Sequence, residues 1–319
     1  MKVTAGRLRL SASDAANFLA CQHLTRLDLL RARGRLSPPR GRDLGFEDLA
    51  SRGEAHERAV LAEFRGDGLR ITEIGAAPEA DAASATLAAM RDGAEVIYQG
   101  VLLHEPPAGG PVLVGRPDFL VRAGLLPVPG GGSRGADAAY EVVDAKLARS
   151  AKARAVAQAA FYSHLLAGLQ DSGPHWMHLA LGNGERTALK VGDYAAYERE
   201  VRRFLAEFIA GDRGENPPSD PYPDPVEHCA VCRWRDFCDA RRRRDDDLCL
   251  IAGMTKGQRQ ALKAAGVPTR RGFAGLATLP AVGRAAGESL QRAQLQARLQ
   301  AAVHRIIRLK VELGLIALP

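Results

Sequence analysis

The chain has 319 residues, of which 46% are hydrophobic and 25% charged, so its composition is that of a globular protein with room for one or two domains. Its formal net charge of +7 favours a polyanionic partner, and most of its 44 basic residues are arginine. No apolar run approaches the roughly 18 residues that could span a bilayer, and residues 1–10 lack the pattern of a signal peptide. We therefore expect a cytoplasmic protein with no membrane partner.

The first part of the chain is predicted to be helical. We expect helices over residues 13–34 and 44–65, around a loop rich in Pro, Gly and Arg, and an alanine-rich helix over 79–92. In the second helix the spacing of apolar residues predicts one inward face. That face consists of Leu49, Gly53, His56, Val60 and Phe64. Since Gly53 has no side chain, His56 has room to reach a metal ion; the alternative is a histidine satisfied within the core.

Three apolar, β-branched runs follow and predict strands. They cover residues 95–103, 111–121 and 140–147. If the last two are neighbours in a sheet, Asp118 and Asp144 lie side by side, with Lys146 on the same strand face as Asp144. Paired carboxylates suit a hard divalent ion such as Mg²⁺ or Mn²⁺, and a lysine beside them can orient a water molecule or neutralise an oxyanion. The pattern is typical of phosphodiester cleavage, although exposed strand-end aspartates beside a surface lysine would also produce it.

The remaining core elements alternate between helix and strand. They are a helix over residues 149–168, strands over 175–182 and 186–191, and a helix over 193–210. This order predicts an α/β fold with a mixed central sheet flanked by helices. Along the first of these helices Arg154, Gln158 and Tyr162 recur every four residues, so they share one face. They form either an ordinary helix surface or a row of polar groups above a scissile phosphate.

Three of the five cysteines are clustered as Cys229-x₂-Cys232-x₅-Cys238, at the end of a proline-rich stretch. Cys21, far upstream on the first predicted helix, is the candidate for a fourth ligand. From the spacing alone, an iron–sulfur cluster and a structural zinc completed by His228 or Cys21 are both open. Disulfides are disfavoured by the odd number of cysteines.

Residues 244–319 are predicted to form a small helical region, behind a charged run at 241–247 that is typical of a solvated linker. Residues 254–279 have the pattern of two short helices joined by a turn. They form either a plain hairpin or half of a helix-hairpin-helix, whose backbone amides can hold a DNA phosphate. The segment 289–318 is amphipathic and is expected to pack on the hairpin or on a partner. Cys249 is predicted to be a small buried hydrophobe.

Taken in order, the motifs G-x-x-H-E, G-R-P-D, D-A-K and Q-x-x-x-Y resemble those of the RecB-type branch of the PD-(D/E)XK nuclease superfamily. The resemblance implies a restriction-endonuclease-like core over residues 1–243. It also implies a metal-dependent nuclease that hydrolyses DNA, as an exonuclease at single-stranded ends, in repair, recombination or processing.

The same resemblance assigns roles to individual residues. The implied ligands of the Mg²⁺ or Mn²⁺ ion are His56, Asp118, Asp144 and the backbone carbonyl of Ala145. The implied catalytic residues are Asp118, Asp144, Lys146, Gln158 and Tyr162. Arg116 and Arg154 are expected to contact the nucleic acid. Many family members have glutamate where this chain has Asp144, so the carboxylate reaches one methylene less far.

One cysteine before the nuclease core and three after it resemble the AddB-type iron–sulfur staple of the same branch. The resemblance implies a [4Fe–4S] cluster bound by Cys21, Cys229, Cys232 and Cys238. It also implies DNA as the partner and a helicase as the candidate protein partner. Two alternatives are open: a non-catalytic iron–sulfur module that binds nucleic acid, and a zinc-stapled nuclease that processes RNA.

Overall fold

The structure, a computed structural model, describes residues 1–38, 44–106, 110–130, 139–211, 221–281 and 287–312. The chain forms two compact units, Met1–Pro221 and Tyr222–Pro319. No helix within the described ranges is long and apolar enough to cross a membrane. Asp118 and Asp144 belong to the first unit, and the three clustered cysteines belong to the second.

The first unit is built on two mixed β-sheets. Its described strands are, in chain order, β1 (Lys2–Thr4), β2 (Arg7–Ser11), β3 (Ile71–Glu73), β4 (Val96–Tyr98), β5 (Leu102–His104), β6 (Val112–Gly115), β7 (Phe119–Arg122), β8 (Tyr140–Lys146), β9 (Trp176–Leu181) and β10 (Arg186–Lys190). One sheet has four strands in the order β1-β2-β6-β5, with β2 and β6 parallel. The other has six in the order β10-β9-β8-β7-β4-β3, with β8 parallel to β9 and antiparallel to β7. The predicted α/β class with a mixed sheet is therefore confirmed.

Helices cover both faces of the six-stranded sheet. The described helices of this unit are α1 (Ala12–Ala20), α2 (Gln22–Ala32), α3 (Leu44–Gly66), α4 (Glu79–Arg91), α5 (Ala153–Ala167) and α6 (Val191–Gly211). Val60 and Phe64 of α3 are buried in one cluster with Val143 of β8. Phe161 of α5 is buried in another cluster with Val142 of the same strand. Because successive strand residues point to opposite faces, α3 and α5 lie on opposite sides of the sheet.

The predicted helix over residues 13–34 is interrupted at Cys21, where α1 ends and α2 begins. Cys21 has an extended backbone, with φ −165° and ψ 108°. Its Sγ accepts a hydrogen bond from the Leu24 N–H at 3.4 Å. A side-chain acceptor at this position satisfies one of the amides that the start of a helix leaves without a partner. Cys21 is therefore the cap of α2, and the prediction of one continuous helix over residues 13–34 was wrong.

Two of the predicted strands are each divided between the two sheets. Residues 95–103 form β4 and β5, and residues 111–121 form β6 and β7. The first run divides at Gln99, whose backbone is left-handed with φ 58°, and the second at Pro117, which has no N–H to donate. Asp118 therefore lies at a bend rather than inside a strand. The Gln99 N–H donates to the Asp118 carbonyl at 2.9 Å, which joins the two bends.

The second unit is helical in its described residues. Its α-helices are α7 (Arg235–Arg244), α8 (Lys256–Ala264), α9 (Arg270–Gly275) and α10 (Gly287–Glu312). Its buried core includes Leu248, Leu262, Phe273 and Leu290. Thr255 caps α8 and Thr269 caps α9, each through its hydroxyl oxygen. The two predicted short helices are therefore present as α8 and α9.

The charged run at 241–247 is not the predicted solvated linker, since its first half is the last turn of α7. Arg242 is buried and donates to the Pro223 carbonyl at 2.5 Å and to the Asp239 carboxylate at 2.7 Å. Asp247 is also buried, and its carboxylate lies 2.6 Å from Lys263 Nζ. Because both buried charges have partners, the run folds into the unit.

Candidate active site

Asp118 and Asp144 are brought together by the pairing of β7 with β8. Phe119 pairs with Val143 in this antiparallel register; Asp118 precedes the first of these residues, and Asp144 follows the second. The two aspartates are therefore neighbours across the strands. The Asp118 carboxylate also accepts a hydrogen bond from the backbone N–H of Ala145, through Oδ2 at 2.7 Å. This bond holds the bend at Asp118 against the strand that carries Asp144.

Both carboxylates lie in surroundings that disfavour their charge. Asp144 is 1% exposed, and Asp118 is half-buried. Burial is the main cause that raises the pKa of each, and the charge of Asp144 adds to it at Asp118, whose pKa is raised to about 8. Asp118 therefore holds a proton at neutral pH as long as no metal ion is bound beside it. A cation at the pair would stabilise both charged forms.

Lys146 reaches the buried aspartate from the same face of β8. Its ammonium group contacts Asp144 Oδ2, and 26% of its side chain remains exposed. Its positive charge lowers the pKa of both Asp118 and Asp144, but by less than burial raises them. Lys146 is thus a counter-charge at the edge of the pair, within reach of a molecule bound there.

Helix α5 contributes Gln158 and Tyr162 to the same place. Gln158 Nε2 donates to the Tyr162 hydroxyl at 2.9 Å, which leaves the phenolic proton available to another acceptor. Burial, and then the charge of Asp144, raise the pKa of Tyr162 above its ordinary value, so the phenol stays protonated at neutral pH. Gly115 of β6 permits this approach, because a Cβ there would lie only 3.1 Å from Tyr162 Cδ1.

The two arginines predicted to contact nucleic acid have different surroundings. Arg154 is exposed at the start of α5, and its guanidinium donates to Asn17 Oδ1 at 3.0 Å. Arg116 is exposed at the bend directly before Pro117 and Asp118. Arg116 is therefore the one that stands beside the aspartates, whereas Arg154 is engaged with α1.

A cavity of about 470 Å³ connects Arg116 with the tyrosine of α5. Arg116 and Tyr162 both line it, and so do Arg9 and Arg31. Arg9 is paired with Glu79, which also lines the cavity. This space is thus bordered by three arginines and a protonated phenol, which can donate hydrogen bonds to phosphate, and by two carboxylates, Asp14 and Glu79.

Glu57 of α3 is a third carboxylate near the pair, and the sequence interpretation gave it no role. Its charge raises the pKa of both Asp118 and Asp144. The Gln99 side-chain amide donates to it. After burial, the same carboxylate is the main cause that raises the pKa of Tyr98 to about 12. The sequence did contain a signal for this residue, because Glu57 is the last residue of the G-x-x-H-E motif.

His56 has a different partner in this structure. It is half-buried on α3, and its Nε2 lies 3.0 Å from the carbonyl oxygen of Ala180 on β9. Because a carbonyl can only accept, Nε2 carries the proton, and Nδ1 is the nitrogen left to accept or to bind a metal. Ala180 pairs with Ala145 in the parallel register of β8 and β9. The histidine is thus held on the strand next to the one that carries Asp144.

The predicted metal ligands are only partly assembled. In the part of the chain that the structure describes, no group of three His, Cys, Asp or Glu side chains is arranged to hold a metal ion. Asp118 and Asp144 fit a hard divalent ion as two adjacent oxygen donors. His56, by contrast, donates to a backbone carbonyl, and Lys146 occupies an oxygen of Asp144.

The clustered cysteines are held by a turn of the second unit. Cys229 Sγ accepts a hydrogen bond from the Val226 N–H at 3.4 Å, and the guanidinium of Arg242 lies 3.6 Å from the same sulfur. Cys238 is 7% exposed, and Cys232 is half-buried. As the described residues stand, these three sulfurs do not form a metal-binding group. The fourth predicted ligand, Cys21, belongs to the first unit.

Cys249 is half-buried rather than fully buried as predicted. Its backbone N–H donates to the Asp247 carboxylate at 2.8 Å. Burial, and then this carboxylate, raise the pKa of the thiol to about 12. The thiol therefore stays protonated, unlike a metal-bound cysteine.

The fold and the site define a mixed α/β protein with two adjacent aspartates, one buried and one half-buried, beside a lysine. The sequence matches no protein-family model and no curated protein. Among solved structures the chain is similar to one titled "Crystal structure of SSO0001", with 13% identity and a TM-score of 0.37. That similarity covers 75% of this chain and 89% of the other. It assigns neither a family nor a function.

Proposed function

We propose that the chain is a metal-dependent nuclease of the RecB-type branch of the PD-(D/E)XK superfamily, with a restriction-endonuclease-like core, which hydrolyses phosphodiester bonds of DNA. The observation that carries this proposal is the pair Asp118 and Asp144, adjacent across β7 and β8, with Lys146 at its edge. The order of the motifs along the chain also supports it. Helix α5, which follows β8, brings Tyr162 close enough to the aspartates for their charges to raise its pKa.

The proposed metal is Mg²⁺ or Mn²⁺, which when bound would polarise the phosphodiester and lower the pKa of the attacking water. Asp118 and Asp144 would hold it as oxygen ligands, together with the Ala145 carbonyl and His56, as the resemblance implies. Since Asp118 holds a proton up to a pKa of about 8, these residues release a proton when they bind the ion at neutral pH.

The remaining residues would act on the substrate. Lys146 would neutralise the negative charge that develops on the phosphoryl oxygens in the transition state. Tyr162, whose hydroxyl proton is not used by Gln158, would donate to a phosphate oxygen. Arg116 would attract the phosphate backbone into the adjoining cavity. Single-stranded ends are the proposed substrate, as the resemblance implies.

The proposal includes a [4Fe–4S] cluster bound by Cys21, Cys229, Cys232 and Cys238, and its support is the spacing of the cysteines. The guanidinium of Arg242 lies 3.6 Å from Cys229 Sγ, where it would balance part of the negative charge of a metal-bound thiolate. The protein would be cytoplasmic, with DNA as its partner and a helicase as the candidate protein partner.

Cleavage of end-labelled nucleic acids tests the proposal. Anaerobically purified protein is incubated with single- and double-stranded DNA and RNA, with Mn²⁺ and with EDTA. We expect shortening of single-stranded DNA that requires Mn²⁺ and stops in EDTA. Binding without cleavage in every condition would favour the non-catalytic module instead, and a preference for RNA would favour the RNA-processing alternative.

A further inference from the structure

A cavity of about 660 Å³ in the second unit lies between α9 and α10. Four arginines line it: Arg270, Arg271, Arg298 and Arg305. Its other lining residues are alanine, glycine and isoleucine, so the described lining contains no acidic side chain. We call this feature the arginine groove.

The four arginines are neutralised to different degrees. Arg270 forms an ion pair with Asp246, with its guanidinium 3.0 Å from Oδ1. Arg298 donates to two backbone carbonyls at the end of α9, at 2.9 and 3.1 Å, which position the guanidinium without removing its charge. Arg271 and Arg305 are exposed and form no ion pair with a described carboxylate. The groove thus has three positive charges that no carboxylate of the described residues balances.

Several other cations of the same unit are paired. Arg292 on α10 pairs with Glu288, and Arg244 on α7 lies 3.6 Å from an oxygen of Asp245. Like charges gathered in one groove repel one another, and an anion that binds there relieves the repulsion. The concentration of unbalanced charge therefore indicates an anionic ligand.

We infer that the arginine groove binds the phosphodiester backbone of nucleic acid, without reading its sequence. Arg298 and Arg305 are two helical turns apart on α10, about 10 Å, so they can contact different phosphates. The lining side chains include no aromatic ring to stack on a base and no acceptor for a base edge. Guanidinium groups bind phosphate oxygens in pairs of hydrogen bonds, and such contacts carry no sequence information.

The groove does not rest on the aspartate pair, since it is a binding site whether or not the chain cuts. Its test is therefore a binding experiment with the full chain in EDTA, where no cleavage takes place. The probe is a fluorescein-labelled DNA single strand of about 30 nucleotides, and its anisotropy is measured between about 50 and 200 mM salt. The variant combines Arg271→Ala with Arg305→Ala, and both residues are exposed, so the fold should tolerate the change.

We expect the Kd of this variant to rise about tenfold or more, and the slope of log K against log salt to fall by about 1.4, or about 0.7 for each lost phosphate contact. The matched control combines Arg244→Ala with Arg292→Ala, which removes the same charge from the same unit outside the groove. Its Kd should change less than about twofold, with the slope unchanged.

A groove variant with the Kd and slope of the wild type would overturn the inference. So would equal losses in the control, which would show a general charge effect, and so would a wild-type chain that does not bind the probe. If the wild-type chain binds the probe but does not cleave DNA, the proposed nuclease is contradicted and the inference about the groove is not.

Discussion

The carboxylate of Asp118 accepts a hydrogen bond from the backbone N–H of Ala145, at 2.7 Å, between the bend and the neighbouring strand. This bond lowers the pKa of Asp118, whereas burial and the charge of Asp144 raise it, and the balance is a pKa of about 8. The hydrogen bond thus fixes the position of the Asp118 carboxylate, although burial and Asp144 still favour its protonated form. A bound metal cation would supply the positive charge that stabilises the ionised forms of Asp118 and Asp144.

The stability of the metal-free protein should fall as the pH rises from about 4 to about 8. The pKa of Asp118 is 3.8 in an ordinary environment and about 8 in the fold, so the folded chain binds more protons than the unfolded chain in this window. A rising pH therefore favours unfolding. Asp118→Asn should flatten this dependence and raise the free energy of unfolding at pH 8 by about 1 kcal/mol or more. Chemical denaturation at several pH values measures it.

The control for this prediction is Asp171→Asn, which changes an exposed aspartate of the same unit. Its pH dependence should match that of the wild type. If Asp118→Asn also keeps the wild-type dependence, the raised pKa is contradicted.

Lys146→Met should slow cleavage far more than it weakens metal binding. Because the ammonium contacts Asp144, its loss removes a positive charge that would compete with the metal ion, and Mn²⁺ should bind at least as tightly. The single-turnover rate at saturating Mn²⁺ should fall about a hundredfold or more, since the proposed role of this charge is to stabilise the transition state. Lys146 also lowers the pKa of both aspartates, so the pH profile of the remaining rate should move upward.

Lys152→Met is the matched control for this change, because Lys152 is exposed just before α5. It should leave the rate, the metal affinity and the pH profile unchanged. An unchanged rate in Lys146→Met would remove this residue from the chemistry.

His56→Ala tests whether the histidine has a role beyond its hydrogen bond to Ala180. Loss of that bond should lower the free energy of unfolding of the metal-free protein by about 1 kcal/mol. If His56 is also a metal ligand, as proposed, the variant should need about tenfold more Mn²⁺ for half-maximal cleavage. A metal titration beside a thermal melt separates the two effects. An unchanged metal requirement would mean that His56 has only a structural role, as a hydrogen bond between α3 and β9.

The proposed iron–sulfur cluster should be visible in the colour and the metal content of the purified protein. Anaerobically purified protein should be brown, with broad sulfur-to-iron absorption and about four irons per chain. Cys21→Ser should remove both, whereas Cys249→Ser should retain both, because the Cys249 thiol is held protonated beside Asp247. A colourless, active protein with one zinc per chain would support the structural-zinc alternative instead.

The helices were the part of the fold that the sequence predicted best. The predictions over residues 44–65 and 79–92 match α3 and α4 closely, since both helices have continuous helical periodicity. The divided strands were missed although Gln99-Gly100 and Gly115-Arg116-Pro117 interrupt the two apolar runs, because the sequence does not show that the segments on either side of each interruption join different sheets. The pairing of β2 with β6 was missed as well, since Arg9 pairs with Val112, a contact between distant parts of the chain that no local pattern records.

In the candidate site, too, the features with a local sequence pattern could be predicted and the contacts between distant parts of the chain could not. The neighbourhood of Asp118 and Asp144 could be anticipated, because each follows from a local apolar run and a short strand. The partner of His56 could not, since the inward face of a helix does not say which strand it meets. The burial of Arg242 was hidden for a similar reason: its partners include a carbonyl and a sulfur that only the folded unit brings to it.

The cleavage of one end-labelled DNA single strand by the Asp144→Asn variant tests the nuclease assignment most directly. Asn removes the carboxylate that is proposed to bind the metal ion, so the single-turnover rate with Mn²⁺ should fall about a thousandfold or more. The metal-free variant should melt no earlier than the wild type, because it no longer buries a carboxylate. The matched control, Glu141→Gln, changes another buried carboxylate of β8, bonded to His178, and should cut almost normally. Cleavage by Asp144→Asn at the wild-type rate would contradict the account.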